Sequence, residues 1–184
     1  MFIFLFMQKR GVLYIGIDES NHGRYPEICV AVFSGLREDC RPYRFPIPRD
    51  YTLLSKLDSK KRDYRFLILT KPQIRESRSK TALIAPSLIN PYLEENNFDE
   101  VRILVDGKFY RENIKTLVKG LKTSSRVLCR GFVNRKKKIK GKKGIKSYVQ
   151  PFIIGLADIT ASELYSRVTL RELHKNERLL ELIL

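Results

Sequence analysis

Between residues 13 and 32 the chain reads LYIGIDESNHGRYPEICVAV, an apolar run from Leu13 to Ile17, a polar turn from Ser20 to Pro26, and a second largely apolar run from Glu27 to Val32. Two β-rich runs around a polar turn predict an antiparallel hairpin. Residues 37–50, REDCRPYRFPIPRD, mix proline with charge and predict a loop or a ragged edge strand. Residues 64–70, YRFLILT, read as a third strand. Residues 80–97 space their apolar positions as a helix does but contain Pro86 and Pro91, which predicts a broken or kinked helix. Residues 101–107, VRILVDG, form a short continuous apolar run ending on Asp106, the pattern of a central strand covered on both faces.

The second half continues the alternation. Residues 110–122, YRENIKTLVKGLK, are amphipathic, with Ile114, Leu117, Val118 and Leu121 on one face. SRVLCRGFV, residues 125–133, is a fifth strand. Residues 134–147, NRKKKIKGKKGIKS, contain no acid and read as a loop too charged to pack. From Pro151, which suits a first helical turn, one helical pattern runs to residue 184. No repeat and no linker divides the chain. A single α/β domain over residues 1–184 is therefore expected: a mixed five-stranded sheet flanked by helices, each strand covered on both faces, and a long C-terminal helix.

Composition narrows the class. With 43% hydrophobic residues the chain has a globular composition, which excludes a wholly disordered one. Its 36 Lys and Arg against 20 Asp and Glu give a formal net charge of +16, and the excess is clustered. Polyanions are the partners such a balance favours, nucleic acid first and an anionic membrane surface second. The three cysteines have no C-x-x-C spacing and make neither a disulfide framework nor a zinc site. Cys29 and Cys129 sit in apolar runs and read as core thiols of a reducing compartment. Residues 1–10, MFIFLFMQKR, carry an apolar run of only seven residues, far short of the roughly 20 a spanning helix needs. Their basic residues follow the apolar run instead of preceding it, unlike a signal peptide. They read as an N-terminal extension, an extra strand or a frayed end, and a cytoplasmic protein is expected.

Candidate chemistry lies at the ends of the apolar elements. Asp18 and Glu19 close the first strand, and Asp106 closes the fourth. If those strands are parallel neighbours, their C-terminal ends lie about 5 Å apart. Asp158 is an acid within the apolar helical run FIIGLADITA, on one face with Ile154, Ala161, Ser162 and Tyr165. Each acid taken alone has an ordinary explanation: a turn carboxylate, an Asp-Gly turn, a salt bridge. Together they point to converging carboxylates, whose repulsion a divalent cation relieves; Mg²⁺ prefers such oxygen ligands. Two such ions about 4 Å apart can clamp the attacking and leaving oxygens of a phosphodiester. No P-loop, dinucleotide fingerprint or Ser-His-Asp arrangement is present.

YIGIDES, ILVDG and GLADITASELYSR, in that order, resemble the motifs of the ribonuclease H-like superfamily, with strand and helix order matching from about residue 12 to 175. Type 2 ribonuclease H enzymes have a Gly-Ile-Asp-Glu strand end, a later Val-Asp-Gly, and a final Asp before a helix rich in Ala and Ser. An uncharacterised family of the same fold opens with Asp-Glu-Ser-Gly and ends with a helical Leu-Ala-Asp. The resemblance implies that Asp18, Glu19, Asp106 and Asp158 bind Mg²⁺ or Mn²⁺, Asp18 bridging both ions. It also implies in-line attack of water on phosphorus, leaving a 3′-hydroxyl and a 5′-phosphate. The chain departs from the type 2 pattern where SNHGRYP stands for the loop that reads the ribose 2′-hydroxyl, keeping only Gly23-Arg24. Asn21 replaces the second family's glycine, and the helix lacks the type 2 Ala-Ala-Ser-Ile run.

The expected activity is therefore that of a divalent-metal-dependent nuclease, acting on RNA in RNA–DNA hybrid or duplex. The alternatives are a non-catalytic nucleic-acid-binding protein of the same fold and a DNA junction resolvase. Candidate nucleic-acid contacts are Arg24, Lys108, and the basic segment's Arg135, Lys136, Lys137, Lys138, Lys140, Lys142, Lys143 and Lys146. Tyr148 offers a ring for base stacking. His22, beside the acids, reads as a turn residue or a proton carrier, and His174 as a surface residue.

Overall fold

A computed structural model describes residues 11–20, 27–45, 62–69, 77–133, 135–137 and 147–167. The elements are β1 (Val12–Ser20), β2 (Glu27–Ser34), a 3-10 turn (Arg37–Cys40), β3 (Pro42–Phe45), β4 (Arg62–Leu69) and α1 (Ser77–Glu95). They continue with β5 (Glu100–Asp106), α2 (Arg111–Gly120), β6 (Arg126–Phe132), β7 (Arg135–Lys137), β8 (Ser147–Pro151) and α3 (Phe152–Arg167). The N-terminal extension, His22, Arg24, Lys138, Lys140, Lys142, Lys143, Lys146 and the helical pattern beyond Arg167 lie outside the described residues.

The architecture is α/β. A five-stranded mixed sheet has the order β4-β2-β1-β5-β6. β1 and β2 form the antiparallel hairpin, with Gly16 opposite Val32 and Asp18 opposite Val30, and β4 extends it on the outer edge. β5 runs parallel to β1, pairing Gly16 with Leu104 and Ile17 with Val105, and β6 runs parallel to β5. β1 is thus central, and its buried positions separate by parity, since successive side chains of a strand point to opposite faces. Leu13, Ile15 and Ile17 join Val101, Ile103 and Val105 under α1 and α2, with Leu88, Ile89 and Leu117 supplied by the helices. Tyr14, Val30, Val32, Phe66 and Leu104 form the second core, under α3 with its Ile153, Ile154, Leu156, Ala157 and Ala161.

Three expectations are corrected. The helix over Pro86 and Pro91 is not broken: α1 runs continuously through both prolines. Pro86 is buried, its ring lying against the position a side chain would take at Gly120 of α2, so packing offsets the lost backbone bonds. The basic segment is not wholly a loop, because Arg135–Lys137 pair with Ser147–Val149. β7 and β3 flank β8 in a small three-stranded sheet that leads directly into α3. The expectation of strands covered on both faces fails at β6, whose burial alternates strictly between exposed and half-buried until Gly131. The region 37–50 is ordered where described: Asp39 is buried, accepts from Ser34 Oγ at 2.7 Å, and takes a bidentate pair of bonds from Arg62 at 2.7 and 2.9 Å. Among the described residues no helix is long and apolar enough to cross a membrane.

Candidate functional site

Asp18 is buried near the carboxyl end of β1. The parallel register ends at Ile17 opposite Val105, so the next step along both strands sets Asp18 beside Asp106. β5 stops there because Gly107 turns the chain with φ +82°, a conformation that costs glycine little, and its N–H donates to the Phe132 carbonyl at 2.8 Å. Asp106 therefore stands half-buried at the carboxyl end of a parallel strand, where open α/β sheets bind their ligands.

Asp158 arrives from α3. A side chain at Gly16 would collide with the carbonyl of Ile153, so glycine there lets the start of the helix lie directly on β1. From Ile153 to Asp158 is about 7.5 Å along a helix, and from Gly16 to Asp18 about 7 Å along a strand. The helix and strand keep pace, and Asp158 reaches the level of Asp18. Electrostatics agree with this geometry. Burial first, then the charges of Asp106 and Asp158, push the Asp18 carboxyl well above the ordinary carboxylate range, against the pull of the Glu19 N–H that donates to its Oδ1 at 2.8 Å. Three aspartates from three separate elements thus share one face at one end of the sheet.

Glu19 is not brought to them. Parity sends its side chain to the opposite face, where it accepts from Thr81 Oγ1 and lies 4.0 Å from Lys80 Nζ. Lys80 pairs directly with Glu27, and both are fully or almost fully buried. Burial, and then a hydrogen bond with Glu27, raise the Glu19 carboxyl from 4.5 to about 8, while Lys80 pulls it down. Glu27 Oε1 has no hydrogen-bond donor among the described residues. The resemblance assigned Glu19 with the aspartates. As arranged here, ligation by Glu19 requires it to leave Thr81 and Lys80.

The donor set of Asp18, Asp106 and Asp158 suits a hard cation: it is all carboxylate, and its members repel one another. Among the described residues, however, no three His, Cys, Asp or Glu side chains are gathered closely enough to hold a metal ion as they stand. Lys108 is exposed immediately beyond the Gly107 turn, on the same end of the sheet. Arg135, Lys136 and Lys137 lie in β7, two strands' breadth from β3 across β8 and not on a free loop. Ser162 and Tyr165, on the helical face of Asp158, are exposed, whereas Ile154 and Ala161 are core. Cys29 is buried as its apolar run implies, and Cys129 is half-buried; both are free thiols.

Sequence reasoning missed Glu27, Lys80 and Thr81. Their signal was weak: a lysine and threonine opening the apolar run KTALIA, and an acid opening the apolar strand EICVAV. It also missed Arg102 and Arg130, whose alternation with Leu104 and Leu128 marks one face of β5 and β6. In comparisons with known proteins, no family model and no curated protein matches this chain.

Proposed function

We propose that this chain is a divalent-metal-dependent nuclease of ribonuclease H-like fold, hydrolysing phosphodiester bonds of RNA in RNA–DNA hybrid or duplex in the cytoplasm. The observation that carries the reading is the assembly of Asp18, Asp106 and Asp158, drawn from a central strand, its parallel neighbour and a covering helix, around one buried carboxyl. The order of the three motifs and of the strands and helices around them supports the fold. The net charge of +16 supports a polyanionic substrate.

In this reading Asp18, Asp106 and Asp158 would hold Mg²⁺ or Mn²⁺, which when bound would supply charge neutralisation and Lewis-acid assistance to phosphodiester hydrolysis. The protein's own part is placement. Asp18 is fixed by the central strand and by the Glu19 N–H. Asp106 is fixed by the Gly107 turn tied to β6, and Asp158 by the seat of α3 on Gly16. Lys108 and the strand-borne Arg135, Lys136 and Lys137 attract the substrate backbone.

Cleavage of labelled RNA–DNA hybrid, RNA duplex, single strands and branched DNA, with Mg²⁺ or Mn²⁺, tests the proposal. Asp18→Asn should lower metal-dependent cleavage by about 10³-fold or more, since metal assistance to a phosphoryl oxygen contributes several kcal/mol. Cleavage unaffected by Asp18→Asn or by EDTA sinks it. Cleavage confined to branched DNA moves the assignment to a junction resolvase. A second reading, a nucleic-acid-binding protein without catalysis, is favoured by one observation: the aspartates are not gathered to ligating distance. Tight binding with no cleavage in any metal selects that reading.

A further inference from the structure

The cover of the sheet is lopsided. α3 packs on β1 and β2 and barely touches β5, so beyond the buried Leu104 no described helix covers this face on the β6 side, where Leu128 and Arg130 are exposed. The register fixes what that face displays: Arg102 opposite Leu128, then Leu104 opposite Arg130, then Asp106 opposite Phe132. A cavity of 310 Å³ opens there, with Leu104 and Leu128 as its floor and Arg102, Arg130 and Cys40 around it. Leu128 is 40% exposed, an apolar side chain held open between two cations.

The two arginines are differently prepared. Arg102 lies over the Tyr14 ring at 5.8 Å, and its Nε donates to Glu100. Its Nη groups make no hydrogen bond among the described residues, and its side chain is 43% exposed. Arg130 is exposed and has no ion-pair partner among the described residues. Both act on the same point: they lower the Cys40 thiol, which burial nonetheless pushes up to about 11. Guanidinium forks match phosphate oxygens in shape and charge, and an apolar floor between them matches the face of a base or sugar. From Arg130 it is two residue pairs along the ladder, a rise of about 7 Å, to the level of Asp106.

We propose that this open face of β5 and β6 seats one nucleotide of a bound nucleic-acid strand, its phosphate between Arg102 and Arg130 and its base or sugar on Leu128, leading the strand to Asp106. The inference rests on the nuclease reading for its substrate class but not for catalysis.

The test is equilibrium binding of the full chain to fluorescein-labelled RNA–DNA hybrid in EDTA over a range of salt, by anisotropy, with cleavage in Mg²⁺ run alongside. Arg130→Gln should weaken binding about tenfold, as loss of a charge-assisted bond does, and reduce the log–log salt slope by about 0.9, the contribution of one phosphate on a duplex. Lys115→Gln removes the same charge from an exposed position on α2, under the other face, and should change binding little. Arg102→Gln gives a second reading of the same seat. Equal effects of Arg130→Gln and Lys115→Gln overturn the inference in favour of net charge alone, and so does no effect of either arginine. Absence of any binding by the wild type overturns it too. If Leu128→Ser changes the sedimentation coefficient instead, the face belongs to a second copy of the chain and the inference falls. A wild type that never cleaves, with Arg130→Gln still tenfold weaker, defeats the nuclease reading and leaves this one standing.

Discussion

Asp18 and Glu19 are chain neighbours, yet the sheet sends them into two different environments. Asp18 meets the charges of Asp106, Asp158 and Glu19, all of which raise its carboxyl. Glu19 meets another acid, Glu27, but also a buried lysine and a threonine hydroxyl. One face has gathered acids of a kind that a cation would relieve. The opposite face already contains its cation, the Lys80 ammonium. The difference teaches that an acid pair in sequence is not a site in space, because the two-residue period of a strand separates its members. A functional role follows from what each carboxylate faces, and the two faces can be tested against each other.

The sharpest break is at Lys80, which is 2% exposed. Removing one partner of a buried pair strands the other charge, at a cost of about 3–5 kcal/mol. Lys80→Met should lower unfolding stability in urea by that amount, and Lys80→Met combined with Glu27→Gln should recover much of it. A loss below about 1 kcal/mol for Lys80→Met would mean that the pair is solvated and the two faces are not different in kind.

Glu19 gives the next effect, through pH. Its carboxyl rises from 4.5 in the unfolded chain to about 8 in the fold. Between those values the folded protein keeps a proton that the unfolded chain has released. Stability therefore falls as pH rises through this window, and levels above it. Glu19→Gln imitates the protonated acid without titrating. Measured in EDTA, it should be more stable than wild type at pH 8 relative to pH 5, by on the order of 2 kcal/mol. Asp18, raised as well, leaves a slope of the same sign in both proteins, so the difference between them is the quantity to read. Parallel pH profiles for the two proteins would remove Glu19 from the buried cluster.

Much of this arrangement was legible in the sequence, and the exceptions have physical causes. The five strands of the main sheet were visible as apolar runs, whereas the parallel pairing that sets Asp18 beside Asp106 was only a condition in the sequence and is supplied by the β1–β5 register. Asp158 was visible because an acid in FIIGLADITA has to be satisfied. Glu19 lies apart from the aspartates here because alternation along β1 turns it to the Thr81 and Lys80 side, a separation the Asp-Glu motif by itself does not convey. Lys80 escaped notice because a lysine at a helix start is ordinarily a surface residue; only the tertiary approach of α1 to β2 buries it. The open face of β6 was hidden for a different reason. The strand RVLCRGF does alternate, but its half-apolar face suggests cover that no described helix provides.

The smallest expected effect separates the two faces most cleanly, because it asks which of them takes up a metal. A ligand that binds only the folded state stabilises it by RT ln(1 + [L]/Kd), about 1.4 kcal/mol at ten times Kd. Mg²⁺ or Mn²⁺ should raise the thermal unfolding midpoint of the wild type, and EDTA should return it. Asp18→Asn should abolish that rise, whereas Glu19→Gln, whose side chain stays with Thr81 and Lys80, should keep it. The converse, a rise lost in Glu19→Gln and kept in Asp18→Asn, would place the cation on the lysine face and require Lys80 to swing away from Glu27. Loss in both variants would mean that Glu19 turns through the strand end to join the aspartates when metal binds. That outcome restores the four-acid set implied by the resemblance and makes the Thr81 contact the resting position of a ligand. Retention in only Glu19→Gln fixes the centre as the three aspartates, with Glu19 acting solely to hold the end of β1.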